Sequence, residues 1–396
     1  MSNTFCILPF IHLEARADSM VSPCCMSQEF FRKDNGDLFS LSVDTLSDVW
    51  QSNSLKKLRQ TLIDGKQATA CSVCYMEESH GIQSKRIREN LRWGVSDSTT
   101  LVNTELKSLD LKLGNTCNLK CRICTPGSSS LWIKEDKEVN GYSVLEHIAI
   151  NIKSEVTPRM VMQWPENNSK FWNDLEHLLP TVEMFEIYGG EPFLSKQHFE
   201  LLRHSSALGY SSNQKVHYNS NGTIYPEDAI TNIWPKFKRV DVMLSIDGIG
   251  NQFEYQRHPA KWSQVEENLI RFKESLGSDL EICLTVSAIN IFYVPEYIEY
   301  FERMGVKVWL NTLYHPSKFC IANLPVKAKN AVRHKLSGYT SSALIEPIQP
   351  ILDFMMKDNF DMSVEFWKTI IAHDKYRNEN YEMIFPEFYT ILHDSI

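Results

Sequence analysis

No apolar run in the 396 residues reaches the roughly 20 residues needed to cross a bilayer. The opening segment MSNTFCILPFIHLEAR has no basic stretch leading a long apolar one. Both absences point to a cytoplasmic protein with no membrane partner. An excess of positive charge is missing too: the formal net charge is -8. That argues against a chain whose main affinity comes from neutralising nucleic-acid phosphates, and it leaves peptides or small molecules as better partners. Charged residues at 23% and hydrophobic ones at 43% are ordinary for a globular enzyme. The length exceeds what one core usually serves, so two or three modules are expected. What the chain does have is cysteine, ten in all and mostly in short-range clusters. In a reducing compartment that pattern favours metal ligation over disulfides.

The densest cluster closes the stretch LDLKLGNTCNLKCRIC at residues 109–124. Leu109, Leu111 and Leu113 recur every second residue and predict a strand. Gly114-Asn115 ends it and opens a loop carrying Cys117, Cys121 and Cys124. On a loop, Cys-x3-Cys-x2-Cys wraps three sulfurs round one corner of a cubane iron–sulfur cluster, which normally takes four cysteines. No fourth cysteine lies nearby, which leaves one iron open to a substrate or cofactor. The alternative is a structural zinc site, where thiolates ordinarily close as a set of four in paired Cys-x2-Cys units. The loop resembles the cluster loop of the radical S-adenosylmethionine (SAM) superfamily. The resemblance implies a [4Fe-4S] cluster whose open iron is chelated by the amino and carboxylate groups of SAM, reductive cleavage of the sulfonium, and a 5′-deoxyadenosyl radical.

A second set, Cys6, the pair Cys24-Cys25 and Cys71-x2-Cys74, lies in residues 1–80. Ile11 and Leu13 alternate with polar neighbours and Asp18-Ser19 favours a turn, so residues 10–21 predict a hairpin that brings Cys6 and Cys24 together. Val49, Leu55, Leu58 and Leu62 recur at helical spacing and stop at Gly65, predicting one amphipathic helix that returns Cys71 and Cys74 to the hairpin. The order FCILPF, DSMVSPCC, DVWQSNSLKKLR and CSVC is similar to the SPASM and twitch modules that carry auxiliary [4Fe-4S] clusters in radical SAM enzymes. It departs from them in two ways: the module precedes the catalytic region, and Ser19 stands where a turn glycine is expected. The resemblance assigns Cys6, Cys24, Cys71 and Cys74 as ligands, and a zinc knuckle on the same four is the alternative. Cys25, its neighbour on an extended backbone, should point away from Cys24. Residues 82–94 predict a helix with Lys85, Arg86, Arg88 and Arg92 on a solvated face, within a linker spanning residues 81–105.

From residue 106 to 325 strand and helix patterns alternate, which implies six parallel strands with right-handed crossovers. The expected fold is α/β, a partial (β/α)6 barrel open along one side, with active residues at the carboxyl ends of strands. Radical SAM enzymes share this shape. Gly189, Gly190 and Glu191 follow the strand MFEIY, and the missing side chains permit close backbone approach. By resemblance this element holds the amino group of SAM. The resemblance also puts Ser220 and Asn221 near the ribose and methionine parts of SAM, Ser245 close by, and Ile123 beside the adenine. Arg257 offers a guanidinium to the SAM carboxylate or to a surface ion pair. Asp247 is either a binding residue or a turn former before Gly248, and Asn290 ends the fifth strand. Tyr188, His217, Tyr218 and Asn311 are candidates for the substrate cavity. Cys283 reads as a buried small hydrophobe, Cys320 as a loop thiol, and His12 and His80 as structural histidines. Residues 326–396 predict a helical extension that either closes the barrel's open side or covers a strand edge.

With the resemblance, these residues describe a radical SAM oxidoreductase that abstracts hydrogen from a peptide or small molecule. An auxiliary cluster would take up the electron left on the substrate, and a reductant such as flavodoxin or ferredoxin would supply the first one. Two other readings stand beside it: a non-catalytic iron–sulfur carrier or scaffold, and a radical SAM enzyme acting on nucleic acid. A strand end built for SAM speaks against the first and the net charge against the second.

Overall fold

The structure is a computed structural model that describes residues 4–27, 29–79, 81, 83–95, 104–141, 163–166, 168–337, 348–357 and 360–395. It divides into two compact units. The first comprises residues 1–116, 144–218 and 227–240, and the second residues 117–143, 219–226 and 241–396. His80 and the polar boundary stretch 96–100 lie outside the described residues.

In the first unit, strands β1 (His12–Ala15), β2 (Val21–Ser22), β3 (Ser108–Lys112), β4 (Met184–Tyr188) and β5 (Lys215–Ser220) run in the order β2-β1-β3-β4-β5. β1 and β2 form the expected hairpin, with Glu14 opposite Ser22. Ser19 turns it in the left-handed region at φ 69°, the conformation a glycine would take without steric cost. The hairpin does not stand apart from the α/β series: β1 pairs in parallel with β3, and β3 with β4 and β4 with β5 follow in parallel.

One face of this sheet is apolar, with Leu13, Ala15, Leu109, Leu111, Phe185, Ile187, Val216 and Tyr218 all buried. Tyr218 therefore belongs to the core, packed on Phe193 and Trp234 at 5.1 and 5.3 Å between ring centroids, and not to a cavity. The other face is charged. In register across four strands stand Glu14, Asp110, Glu186 and His217. Lys112 Nζ lies 2.5 Å from Glu14 Oε1, and Lys85 Nζ lies 3.5 Å from Glu186 Oε2. Tyr188 donates its hydroxyl proton to Asp110, whose carboxyl is pushed well above the usual carboxylate range by burial and by the nearby Glu14.

Two local expectations change. The single amphipathic helix is two, Leu46–Trp50 and Asn53–Ile63. Thr45 and Asp48 close a capping box on the first, and Ser52 accepts from Leu55 N to start the second. A second cap inside a helical pattern offers the backbone an alternative partner and breaks the run. The basic helix, Lys85–Arg92, is solvated at Arg88 and Arg92 but not at its other two basic residues. Lys85 and Arg86 are buried, and Arg86 pairs with Glu78 and donates to Phe5 O at 2.8 Å. Periodicity could not show this, because the partners are set by the fold and not by helical spacing.

In the second unit, β6 (Arg239–Ser245), β7 (Leu280–Val286) and β8 (Lys307–Thr312) pair in parallel and in sequence order. Helix Trp262–Leu276 leads to β7, and helix Val294–Arg303 connects β7 to β8. Counting β3, β4 and β5 of the first unit, the six expected α/β strands are present. The chain's end is helical as expected, with helices Val326–Leu336, Gln349–Met355, Ser363–Arg377 and Pro386–His393. Phe366, Ile370, Tyr381, Phe385 and Phe388 are buried there. Among the described residues no helix is long and apolar enough to cross a membrane.

The charged face sets two expected outcomes. Lys112→Met leaves Glu14 buried without its nearest cation and should cost about 3–5 kcal/mol, read as a lower urea midpoint with unchanged slope. His12 is pushed down to about 4, first by burial and then by Lys85. Its folded-state value is below the unfolded value of about 6.5, so its contribution is complete above that pH and is lost as pH falls towards 4. His12→Gln should flatten the decline of stability in that window, by up to about 1.4 kcal/mol per pH unit, measured by urea titrations at several pH values.

Candidate metal centres

In the first unit, β4 ends in Gly189 and Gly190, both in the left-handed region at φ 93° and 57°. A Cβ on Gly189 would stand 2.8 Å from Lys112 Cβ, and one on Gly190 would overlap the Thr116 carbonyl. Glu191 N donates to Thr116 O at 2.9 Å, and its buried carboxylate accepts from Phe193 N at 3.2 Å. The Gly-Gly-Glu turn thus lies on the peptide that leads into Cys117, a contact that only side-chain-free residues allow.

In the second unit, Cys117, Cys121 and Cys124 line a compact loop. Cys124 N donates to Cys121 O at 2.9 Å, and Leu119 N points to Cys117 Sγ at 3.4 Å. A hydrogen bond with the Cys124 thiol, acting against burial, and the Arg257 guanidinium bring Cys121 down to about 7, while the Cys124 thiol is pushed up. Two side-chain donors face the sulfurs at 3.9 Å: Asn221 Nδ2 towards Cys117 and Arg257 Nη1 towards Cys121. Thiolates on an iron–sulfur cluster are stabilised by such N–H donors, so this set fits a cluster with three protein ligands.

The strand-end residues divide by what they hold. Asn221 donates to Asn118 Oδ1 at 2.9 Å and accepts from Thr223 N at 2.9 Å, shaping the cluster loop. The Ser220 hydroxyl accepts from Gly222 N at 3.2 Å. Asp247 takes Arg257 through Nε and Nη2 at 2.8 and 2.7 Å, and Thr285 N at 2.9 Å. Asn290 donates to Asp247 O and Thr285 O at 3.0 and 2.9 Å. Asp247 and Asn290 thereby stitch the ends of β6 and β7 and aim Arg257 at the thiols. Ser245 ends β6 opposite Cys283, which is buried as expected of a small hydrophobe. Cys320 is buried too.

Beside the loop is a cavity of about 520 Å³ lined by Ile123, Cys124, Thr125, Ser128, Thr285, Asn311, Leu313, His315 and Pro316. Ile123 and Asn311 stand in its wall. Sequence reasoning missed Thr125, Ser128, Thr285 and His315; only the short distance of Thr125 and Ser128 from Cys124 could have flagged any of them.

The amino-terminal set lies within the first unit. Cys6, Cys24 and Cys71 pack against one core with Phe5, Ile7, Phe10 and Ala68. Burial, and then the proximity of Cys71 and Cys74, push the Cys6 thiol well up, and burial followed by Cys74 pushes Cys71 up to about 11. Burial raises all four thiols, so they form a donor set that would have to give up its protons on binding a metal centre. Cys25 turns elsewhere, accepting from Lys85 Nζ at 3.2 Å on the charged sheet face. Among the described residues no group of three or more Cys, His, Asp or Glu side chains is spaced to hold a single metal ion.

Gly190→Ala should force the Gly-Gly-Glu turn off Thr116. We expect a loss of about 1–3 kcal/mol in stability, read by thermal melting.

Residues 6–75 match the SPASM family, an iron–sulfur cluster-binding domain. No curated protein matches the chain by sequence. Among solved structures, the chain is similar to native anSMEcpe with bound AdoMet and Cp18Cys peptide, at 18% identity over 58% of each chain with a TM-score of 0.37. A polyhistidine-tagged anSMEcpe with bound AdoMet gives 19% identity over 59% of this chain and 57% of that one, with a TM-score of 0.39. Streptococcus suis SuiB bound to precursor peptide SuiA gives 12% identity over 82% and 66%, with a TM-score of 0.35. The chain spans about three fifths of the length of the first of these structures.

Proposed function

We propose that the chain is a radical SAM enzyme with an auxiliary [4Fe-4S] cluster in its SPASM domain. The observation that carries this reading is the three-cysteine loop, with Asn221 and Arg257 turned to its sulfurs and, in the sequence around it, no fourth cysteine. Cys117, Cys121 and Cys124 would hold a [4Fe-4S] cluster there, which with SAM bound would supply hydrogen-atom abstraction from carbon.

The chain's own residues do the rest. Cys117, Cys121 and Cys124 hold three corners of the cluster and leave the fourth open. Arg257, tied to Asp247, compensates the charge of the ligating sulfurs. The Gly-Gly-Glu turn offers backbone and the Glu191 carboxylate to the SAM ammonium group. The resemblance assigns Ser220 and Asn221 to the ribose and methionine parts of SAM, Ser245 close by, and Ile123 to the adenine. Cys6, Cys24, Cys71 and Cys74 would hold the auxiliary cluster, and a full set of four thiolates would suit it to electron transfer. The substrate is a peptide or small molecule, the reductant a flavodoxin or ferredoxin, and the compartment the cytoplasm.

Anaerobic reconstitution followed by SAM and dithionite tests the reading. About eight irons per chain, two cubanes of four, are expected, with release of 5′-deoxyadenosine that Cys117→Ala abolishes. About four irons with cleavage, one cubane's worth, would remove the auxiliary cluster from the proposal. Bound iron without cleavage would replace the enzyme with an iron–sulfur carrier.

A further inference from the structure

The carboxyl-terminal extension carries a function that neither its sequence nor the SPASM match assigns. The cluster loop is pinned along one side by the segment 255–258: Lys120 N donates to His258 O at 2.7 Å, Arg122 N to Gln256 O at 2.8 Å, and Arg122 Nε to Tyr255 O at 3.1 Å. This segment also carries Arg257, the cation facing Cys121. The distance between Arg257 and Cys121 is therefore set by how firmly the two backbones are joined.

Two carboxylates from the extension make that join. Arg122 is the residue between Cys121 and Ile123, and its side chain is 2% exposed. Its Nη2 binds Asp374 and, at 2.5 Å, Glu379. Each carboxylate also grips the opposite segment. Asp374 accepts from Tyr255 OH at 2.7 Å, and Glu379 shares a hydrogen bond of 2.6 Å with His258 Nδ1. The guanidinium of Arg122 lies 3.6 Å from the centre of the Tyr255 ring. Asp374 is itself fixed by Tyr381 N at 2.8 Å.

A second contact from the same helix holds the loop's other flank. Arg377 Nη2 donates to Lys120 O at 2.9 Å while its Nε donates to Glu135 at 2.8 Å. Glu135 also binds His373 Nδ1 and Lys120 Nζ, at 2.6 and 2.7 Å. Trp132, on the same helix as Glu135, donates its indole N–H to Cys121 O at 2.9 Å. The loop is thus held through Lys120, Cys121 and Arg122, the residues that set the middle thiol.

We infer that Asp374 and Glu379 are positioning residues: through Arg122, Tyr255 and His258 they lock the cluster loop to the Arg257 segment and so fix the cation beside Cys121. The inference rests on the cluster reading of the three-cysteine loop. It assigns the extension a task beyond covering apolar surface, because buried charges tied to one loop from two sides cost desolvation that plain packing would avoid.

The test uses the full chain reconstituted with iron and sulfide, comparing the wild type with Asp374→Asn/Glu379→Gln and with Glu365→Gln, an exposed position on the same helix. The readout is the electron paramagnetic resonance spectrum of the reduced cluster with and without SAM, alongside iron content and melting of the cluster-free chain. The double variant should fold with a lower melting temperature, because buried Arg122 loses both counter-charges, and bind iron or SAM about 10–100-fold more weakly, the usual loss when partners behind a metal ligand are removed. Its SAM-dependent spectral change should be broadened or absent, and Glu365→Gln should match the wild type. A wild-type spectrum in the double variant would overturn the inference. So would spectral changes no larger than those of Glu365→Gln. Should the double variant fail to fold, Arg122→Lys carries the test, since a point charge cannot bridge both carboxylates as a guanidinium does. If the wild type itself shows no cluster in the three-cysteine loop, the radical SAM reading fails; a wild-type cluster unaffected by the variants sinks only the brace.

Discussion

Three thiols in a buried loop can ionise together only where donors and positive charge compensate them. That constraint organises the second unit. Asp247 is fixed to β7 through Thr285 N and holds Arg257 through two nitrogens, so the guanidinium reaches Cys121 with its own charge partly balanced. Asn221 completes the compensation at Cys117 while tying down Asn118. The strand-end polar residues are thus as much scaffold for the thiols as they are candidates for a ligand.

In the first unit the same chemistry takes a different form. The sheet of β1, β3, β4 and β5 buries one apolar face and presents a row of Glu14, Asp110, Glu186 and His217 on the other. Lys112 and Lys85 answer two of those carboxylates. The third, Asp110, accepts from the Tyr188 hydroxyl, and burial with the nearby Glu14 pushes its carboxyl well above the usual carboxylate range. Cys25 faces this charged layer and Cys24 faces the Cys6 core, so adjacent thiols serve two environments, as alternation along an extended backbone requires.

Much of this was legible in the residues. The six α/β strands followed from alternation of patterns, and the hairpin turn at Ser19 from Asp18-Ser19 alone. The cysteine spacing marked both candidate ligand sets because chelation needs nearby ligands, which is a local demand that a sequence records. What escaped notice was non-local. The burial of Lys85 and Arg86 depends on Glu186, Glu78 and Phe5, and the cavity wall at His315 depends on how β8 ends. Tyr218 could not be placed because strand alternation leaves the choice of face open until neighbours are known. The break at Ser52 was visible as a capping residue but was hidden by apolar spacing that runs on through it.

The parallel pairing of β1 with β3 has a bearing on how the molecule is made. Its partner strand lies about a hundred residues later in the chain, so the amino-terminal hairpin leaves the ribosome well before the edge it will occupy exists. Closing that long loop is entropically slow, and until it happens both β1 and the Cys6 core stay open to solvent, oxidants and stray metal. Closure of the Cys6 core and completion of the α/β sheet are therefore linked in time. An excised amino-terminal domain would lack the strand it is meant to lean on, and the remainder would expose the raw edge of β3.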